Sequence, residues 1–157
     1  MTKRWRQAFA AWAETPEYEQ HLAAAHSKIE HALSRFRKPY VAFSGGKDST
    51  VLLHLVLQYC PDVMVLHWDF GPAYVPRSIE RAILENARTM GAHNIRIATS
   101  GQYWQQGRSA INVLGRALFG KLHKELAQEG FDCVFVGVRA QESSKRKRKR
   151  ESVHMGI

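Results

Sequence analysis

Two adjacent glycines stand where a short run of strand-forming residues, Tyr40-Val41-Ala42-Phe43, meets a long apolar segment of helical character. The junction reads Ser44-Gly45-Gly46-Lys47-Asp48-Ser49. A strand that ends, turns tightly on glycine and opens at once into a helix gathers backbone N–H groups and the positive helix end at one spot, which is an anion site. Lys47 adds a mobile full charge, and the Ser44 and Ser49 hydroxyls are able to donate to phosphate oxygens. The segment is not a Walker A loop, which needs a glycine five residues before a Gly-Lys-Ser/Thr triplet. Val41 and Gly46-Lys47-Asp48 occupy those positions. Asp48 is the odd element: a carboxylate at an anion site repels its ligand unless it caps the helix or handles a metal.

The surrounding pattern sets the architecture. Helices are expected over 3–13, with Thr2 as cap, and from Thr15-Pro16-Glu17 to about Phe36. Strand 40–43 and a helix over about 48–59 follow. Val63 to Trp68 forms a second apolar strand closing on Asp69, and a helix over about 77–90 stops at Gly91. Residues 94–98 read as a third strand, 99–111 as a polar loop, 112–129 as a helix and 132–138 as a fourth strand. Strands this apolar, alternating with helices, belong in a parallel sheet covered on both faces. With right-handed crossovers the expected fold is a doubly wound α/β three-layer sandwich, Rossmann-like, with a helical N-terminal extension. The expected parts are 1–37 (extension), 38–144 (nucleotide-binding domain) and 145–157 (basic segment). Ligands of such sheets bind at the carboxyl ends of the strands, where residues 44–49, 69–76 and 137–150 fall.

The SGGKDS segment, placed between a buried strand and a helix, resembles the PP-loop of the adenine-nucleotide α-hydrolase superfamily. Two further stretches narrow the likeness: Trp68-Asp69-Phe70-Gly71, and Gly137-Val138-Arg139-Ala140-Gln141-Glu142-Ser143 with Arg146 beyond it. Together they look like the phosphoadenosine-phosphosulfate (PAPS) reductase family, over about residues 30–150. The resemblance implies ATP or a PAPS-like adenine nucleotide as ligand, with Mg²⁺ alongside. Asp69 would line the adenosine side, Gly137 would let the nucleotide approach the backbone, and Arg139 and Arg146 would contact phosphate or sulfate. Arginine's planar fork suits such oxyanions. Lys47, Asp48 and Arg139 would carry the chemistry. Family members that reduce a sulfonucleotide use a cysteine in a C-terminal E-C-G-L-H-like tail. Cys60 and Cys133 sit in no such context, and no cysteine pair suggests an iron–sulfur cluster. Adenylyl transfer within sulfur metabolism is therefore the expected reaction, and thiol-based reduction by this chain alone is not expected.

Composition bears on partners. Of a net charge of +9, six positive charges form the single run Lys145-Arg146-Lys147-Arg148-Lys149-Arg150. The run admits three readings: an anion clamp using Arg146 and Arg150, an electrostatic contact to nucleic acid, or a solvated tail. His21, His26 and His31 are five apart and rotate around their helix, so they make no metal site of the i, i+4 kind. Trp5, Phe9 and Trp12 read as a packing face, which would alternatively dock a partner subunit or a second copy. No apolar run is long enough to span a membrane, and nothing directs the chain out of the cytoplasm. Two alternatives accompany the adenylyl-transfer reading: an ATP pyrophosphatase that inserts sulfur into nucleic acid, and a non-catalytic nucleotide-binding module.

Overall fold

The computed structural model describes residues 3–99 and 120–138. The expectations for the Thr2 cap, Arg139, Arg146, the basic run, most of the 99–111 loop and the start of the 112–129 helix lie outside them. The chain divides into two compact units, Met1–Arg37 and Lys38–Ile157.

The first unit holds α1 (Lys3–Ala13) and α2 (Pro16–Arg35). Thr15 begins α2 by two bonds. Its Oγ1 accepts from Tyr18 N–H at 3.3 Å and donates to Trp12 O at 2.7 Å. Pro16 and the acids Glu17 and Glu19 complete a favourable first turn. In α1 the aromatic stripe differs from the expected packing face. Trp5, Phe9 and Trp12 are 60%, 52% and 50% exposed, and α1 buries no residue. Trp12 meets Tyr18 edge-on, and Trp5 stacks on Phe9.

The second unit runs β1 (Pro39–Phe43), α3 (Lys47–Leu57), β2 (Met64–Asp69), α4 (Arg77–Thr89) and β3 (Ile95–Thr99). It ends in a helix whose described part is 120–128, here α5, and β4 (Cys133–Val136). The sheet is parallel, in the order β3-β2-β1-β4. Its alternating residues separate into two layers. Tyr40, Met64 and Leu66 pack with Leu122 and Leu126 of α5, joined by Trp68, Ala98 and Phe131. Val41, Phe43, Val65 and His67 point the other way and are buried, as are Leu53 and Val56 of α3 and Leu84 and Ala87 of α4. Helices thus cover both faces, giving the doubly wound α/β arrangement expected from the apolar strands.

Strand order also locates the crevice. The chain passes from β1 to β2 and β3 on one side, then returns to place β4 on the other side of β1. Beyond the carboxyl ends of β1 and β4 the connections therefore diverge, and a doubly wound sheet binds its ligands there.

Candidate phosphate site

Residues 44–49 leave the carboxyl end of β1 at this switch point. Gly46 is the N-cap of α3, with no side-chain cap bond, and Lys47, Asp48 and Ser49 form the first turn. The helix's own bonding begins with Thr50 N–H to Gly46 O at 2.9 Å. The N–H groups ahead of it have no place in the helical ladder and make the anion-attracting end.

The loop is held by its own serines. Ser49 is buried, and its hydroxyl donates to Gly46 O at 2.9 Å. Ser49 Oγ also accepts from Ser44 N–H at 3.3 Å and lies 3.1 Å from Ser44 Oγ. Ser44 Oγ in turn accepts from Gly46 N–H at 3.4 Å. Ser49 therefore shapes the loop from beneath, while Ser44 and Lys47 are exposed. Gly45 has φ +75°, which only glycine adopts readily, and a Cβ there would stand 2.6 Å from Ile83 Cγ2 of α4. The loop thus rests directly on α4.

Gly137 follows β4, and a Cβ on it would meet Ser49 N at 2.7 Å and Asp48 O at 2.8 Å. What this glycine admits in the structure is the first turn of α3, so that β4 closes one wall of the crevice. Asp69, at the end of β2, is buried. Its Oδ1 accepts from Gly71 N–H at 2.7 Å and its Oδ2 from Arg77 Nη1 at 2.8 Å. Both oxygens are spent on the 70–76 loop and the start of α4. Thr99 donates to the Asp69 carbonyl at 3.0 Å, tying the end of β3 to the same place. The fold thus brings residues 44–49, Asp69 and Gly137 to one edge of the sheet.

Three residues at this edge were not expected from sequence: Arg77, His67 and Glu80. The only trace of them was a histidine interrupting the apolar Val63-Met64-Val65-Leu66 run. His67 and Glu80 are buried together, with Nε2 2.7 Å from Oε1.

The cysteines lie elsewhere. Both are free and half-buried. Cys133 starts β4 at the end opposite Gly137, and burial, helped by Asp132, pushes its thiol above the ordinary range. A thiol so placed stays protonated at neutral pH and is a weak nucleophile. A cleft of about 470 Å³ lined by residues including Trp68, Arg96, Thr99 and Lys121 lies beside β3, and among its described lining residues none belongs to the 44–49 loop. Among the described residues no group of three or more His, Cys, Asp or Glu could hold a metal, and no helix is long and apolar enough to cross a membrane.

Comparison with known proteins gives a family and several relatives. Residues 38–154, more than half of the chain, match the model of the phosphoadenosine phosphosulfate reductase domain. A protein of Mycobacterium sp. (strain JLS) named sulfate adenylyltransferase subunit 2 is 28% identical over 156 residues, covering 91% of this chain and 49% of that protein. One of the same name from Magnetococcus marinus is 28% identical over 135 residues, covering 78% and 43%. A third, from Hyphomonas neptunium, is 28% identical over 159 residues, covering 88% and 47%. The chain spans about half the length of the curated relatives it matches.

Proposed function

The chain belongs to the phosphoadenosine phosphosulfate reductase domain family, and from that premise we propose that it binds ATP or a sulfonucleotide at residues 44–49 and serves adenylyl transfer in sulfur metabolism. The observation that carries the reading is the position of the loop. It is a self-braced anion cradle at the start of α3, placed at the switch point of a doubly wound sheet.

In adenylyl transfer an oxyanion of the acceptor forms a bond to the α-phosphorus. The bond from that phosphorus to the bridging oxygen breaks, and pyrophosphate leaves with the electron pair. Little covalent work falls to the protein, so rate comes from placing positive charge where negative charge grows. Lys47 and the first-turn N–H groups of α3 do this at the phosphates. Arg139 and Arg146, which follow β4 in the sequence, would add to it, and Asp69 organises the adenosine side through its hold on the 70–76 loop and Arg77. Mg²⁺ characteristically binds through one or two carboxylates plus substrate phosphates, and Asp48 in the first turn of α3 is the carboxylate that fits. Bound there with the nucleotide, the ion would neutralise phosphate charge.

The relatives carry the name of a subunit, which supports a partner subunit for this chain as well. A second reading, sulfur insertion into nucleic acid, is supported by the six-residue basic run at 145–150, which would serve as a docking strip.

Pyrophosphate release from ATP, measured with sulfate and then with RNA or DNA as acceptor, separates these readings. Release that depends on sulfate supports the first, and release that depends on polynucleotide supports the second. ATP binding with no release under any condition would leave a nucleotide-binding module. Lys47→Ala is expected to abolish ATP binding while the melting curve stays that of a folded domain. Unchanged affinity would sink the site assignment.

A further inference from the structure

A buried pair of titratable side chains lies against the strand that launches the phosphate loop. His67 is 3% exposed and Glu80 is 5% exposed. His67 Nε2 lies 2.7 Å from Glu80 Oε1, and Nδ1 lies 2.9 Å from the carbonyl oxygen of Phe43. Phe43 is the last residue of β1, paired in register with His67, and the next residue is Ser44.

The chemistry of these three groups fixes one hydrogen, that on Nδ1. A carbonyl oxygen only accepts, so Nδ1 carries a hydrogen. One more proton then lies between Nε2 and Oε1, as imidazolium with carboxylate or imidazole with carboxylic acid. Either way Nδ1–H stays aimed at Phe43. The Phe43 carbonyl thereby sets the hydrogen on Nδ1, and Glu80, bonded to the opposite nitrogen, fixes the ring orientation of His67.

The location separates this pair from an ordinary satisfied core pair. Its final acceptor is the carbonyl at the strand–loop junction. Ile83, three residues after Glu80 on α4, is the side chain against Gly45. Arg77, three residues before Glu80, holds Asp69. One face of α4 therefore supports the β1 junction, the glycine turn and the β2 end together. We infer that His67 and Glu80 are positioning residues that set the phosphate loop against α4 and, through it, the affinity for nucleotide. The inference rests on the reading of residues 44–49 as the nucleotide site.

The test uses the double variant His67→Phe/Glu80→Leu, since an apolar pair of similar size avoids stranding a buried charge. ATP affinity is measured by calorimetry at a temperature where melting shows the protein folded. The double variant should bind ATP about tenfold more weakly, the loss that corresponds to about one hydrogen bond to the ligand. Glu80→Gln, whose amide donates to Nε2 and preserves Nδ1–H toward Phe43, should stay within about threefold of the parent. A folded double variant with parental affinity would overturn the inference. So would a Glu80→Gln protein as weak as the double variant. Should the double variant not fold, Glu80→Ala removes the bond that holds the His67 ring in place and carries the same expectation of weakened binding. Should the parent bind no ATP, the nucleotide reading itself fails. Amide exchange at residues 44–49 then decides the positioning role: it should quicken in the variant while Leu53–Val56 are unchanged, and equal rates would refute it.

Discussion

At the residue scale the site is built from close approaches. Gly45→Ala meets two penalties, a φ of +75° and a Cβ 2.6 Å from Ile83 Cγ2. The expected loss is about 1–3 kcal/mol in denaturant unfolding, and Ile83→Ala should recover only the steric part. A second residue-scale expectation concerns pH. His93 Nε2 is 2.7 Å from Asp62 Oδ1, and that bond, followed by one to the Gly91 carbonyl, raises its pKa above the ordinary histidine value. A raised folded pKa means the contribution to stability is complete below the ordinary value and is lost as pH rises through the raised one. The NMR titration midpoint of His93 should lie above that of an unstructured histidine, and Asp62→Asn should return it most of the way. Legibility at this scale was uneven. The glycine turn at 44–49 could be read because glycine, lysine and helix start are contiguous. The contacts that Asp69 and Gly137 make could not, since their partners Arg77 and Ser49 are defined only by distance in space. His67 was visible only as a blemish in an apolar strand, and Glu80, 13 residues away, was ordinary until the helix packed.

Elements were read more faithfully, because their signals are local. α1 spans the expected 3–13, and the four strands fall within one or two residues of expectation at most ends. α2 begins where Thr15 and Pro16 indicated, with a cap bond to Tyr18 N–H. Removing that cap with Thr15→Ala should cost about 1 kcal/mol. The check is a lowered α2 helix signal, with amide exchange quickened at its first turn. What periodicity left open was which neighbour each face meets. The Trp5, Phe9 and Trp12 stripe has the spacing of a packing face, yet all three keep half or more of their surface exposed. The alternation in β1 looked uniform, but Tyr40 and Val41 belong to different layers, one shared with α5 and the other with α3. Period two assigns residues to opposite sides of a strand and is silent about what covers each side.

On the scale of the whole molecule, charge and topology matter most. A chain of net charge +9 with six of its cations in one run should bind polynucleotide with strong salt dependence if that run docks it. A slope of log affinity against log salt near about −5 for duplex DNA corresponds to all six charges neutralised. A flat slope would remove the docking-strip reading, and replacing the run with serines gives the control. The parallel doubly wound sheet was implied by apolar strands alternating with helices, since such strands must be covered twice. The sequence alone determined most of the secondary elements, the fold class, the family likeness and the glycine turn that opens α3. Each of those depends on neighbours along the chain or on a contiguous motif. Tertiary structure alone decided that β4 lies beside β1, that Gly137 closes on α3, that Asp69 is spent on Arg77, and that a buried His67–Glu80 pair supports the loop. Those facts depend on which distant segments meet, and strand order and helix packing set that through burial, which leaves no fixed spacing in the sequence.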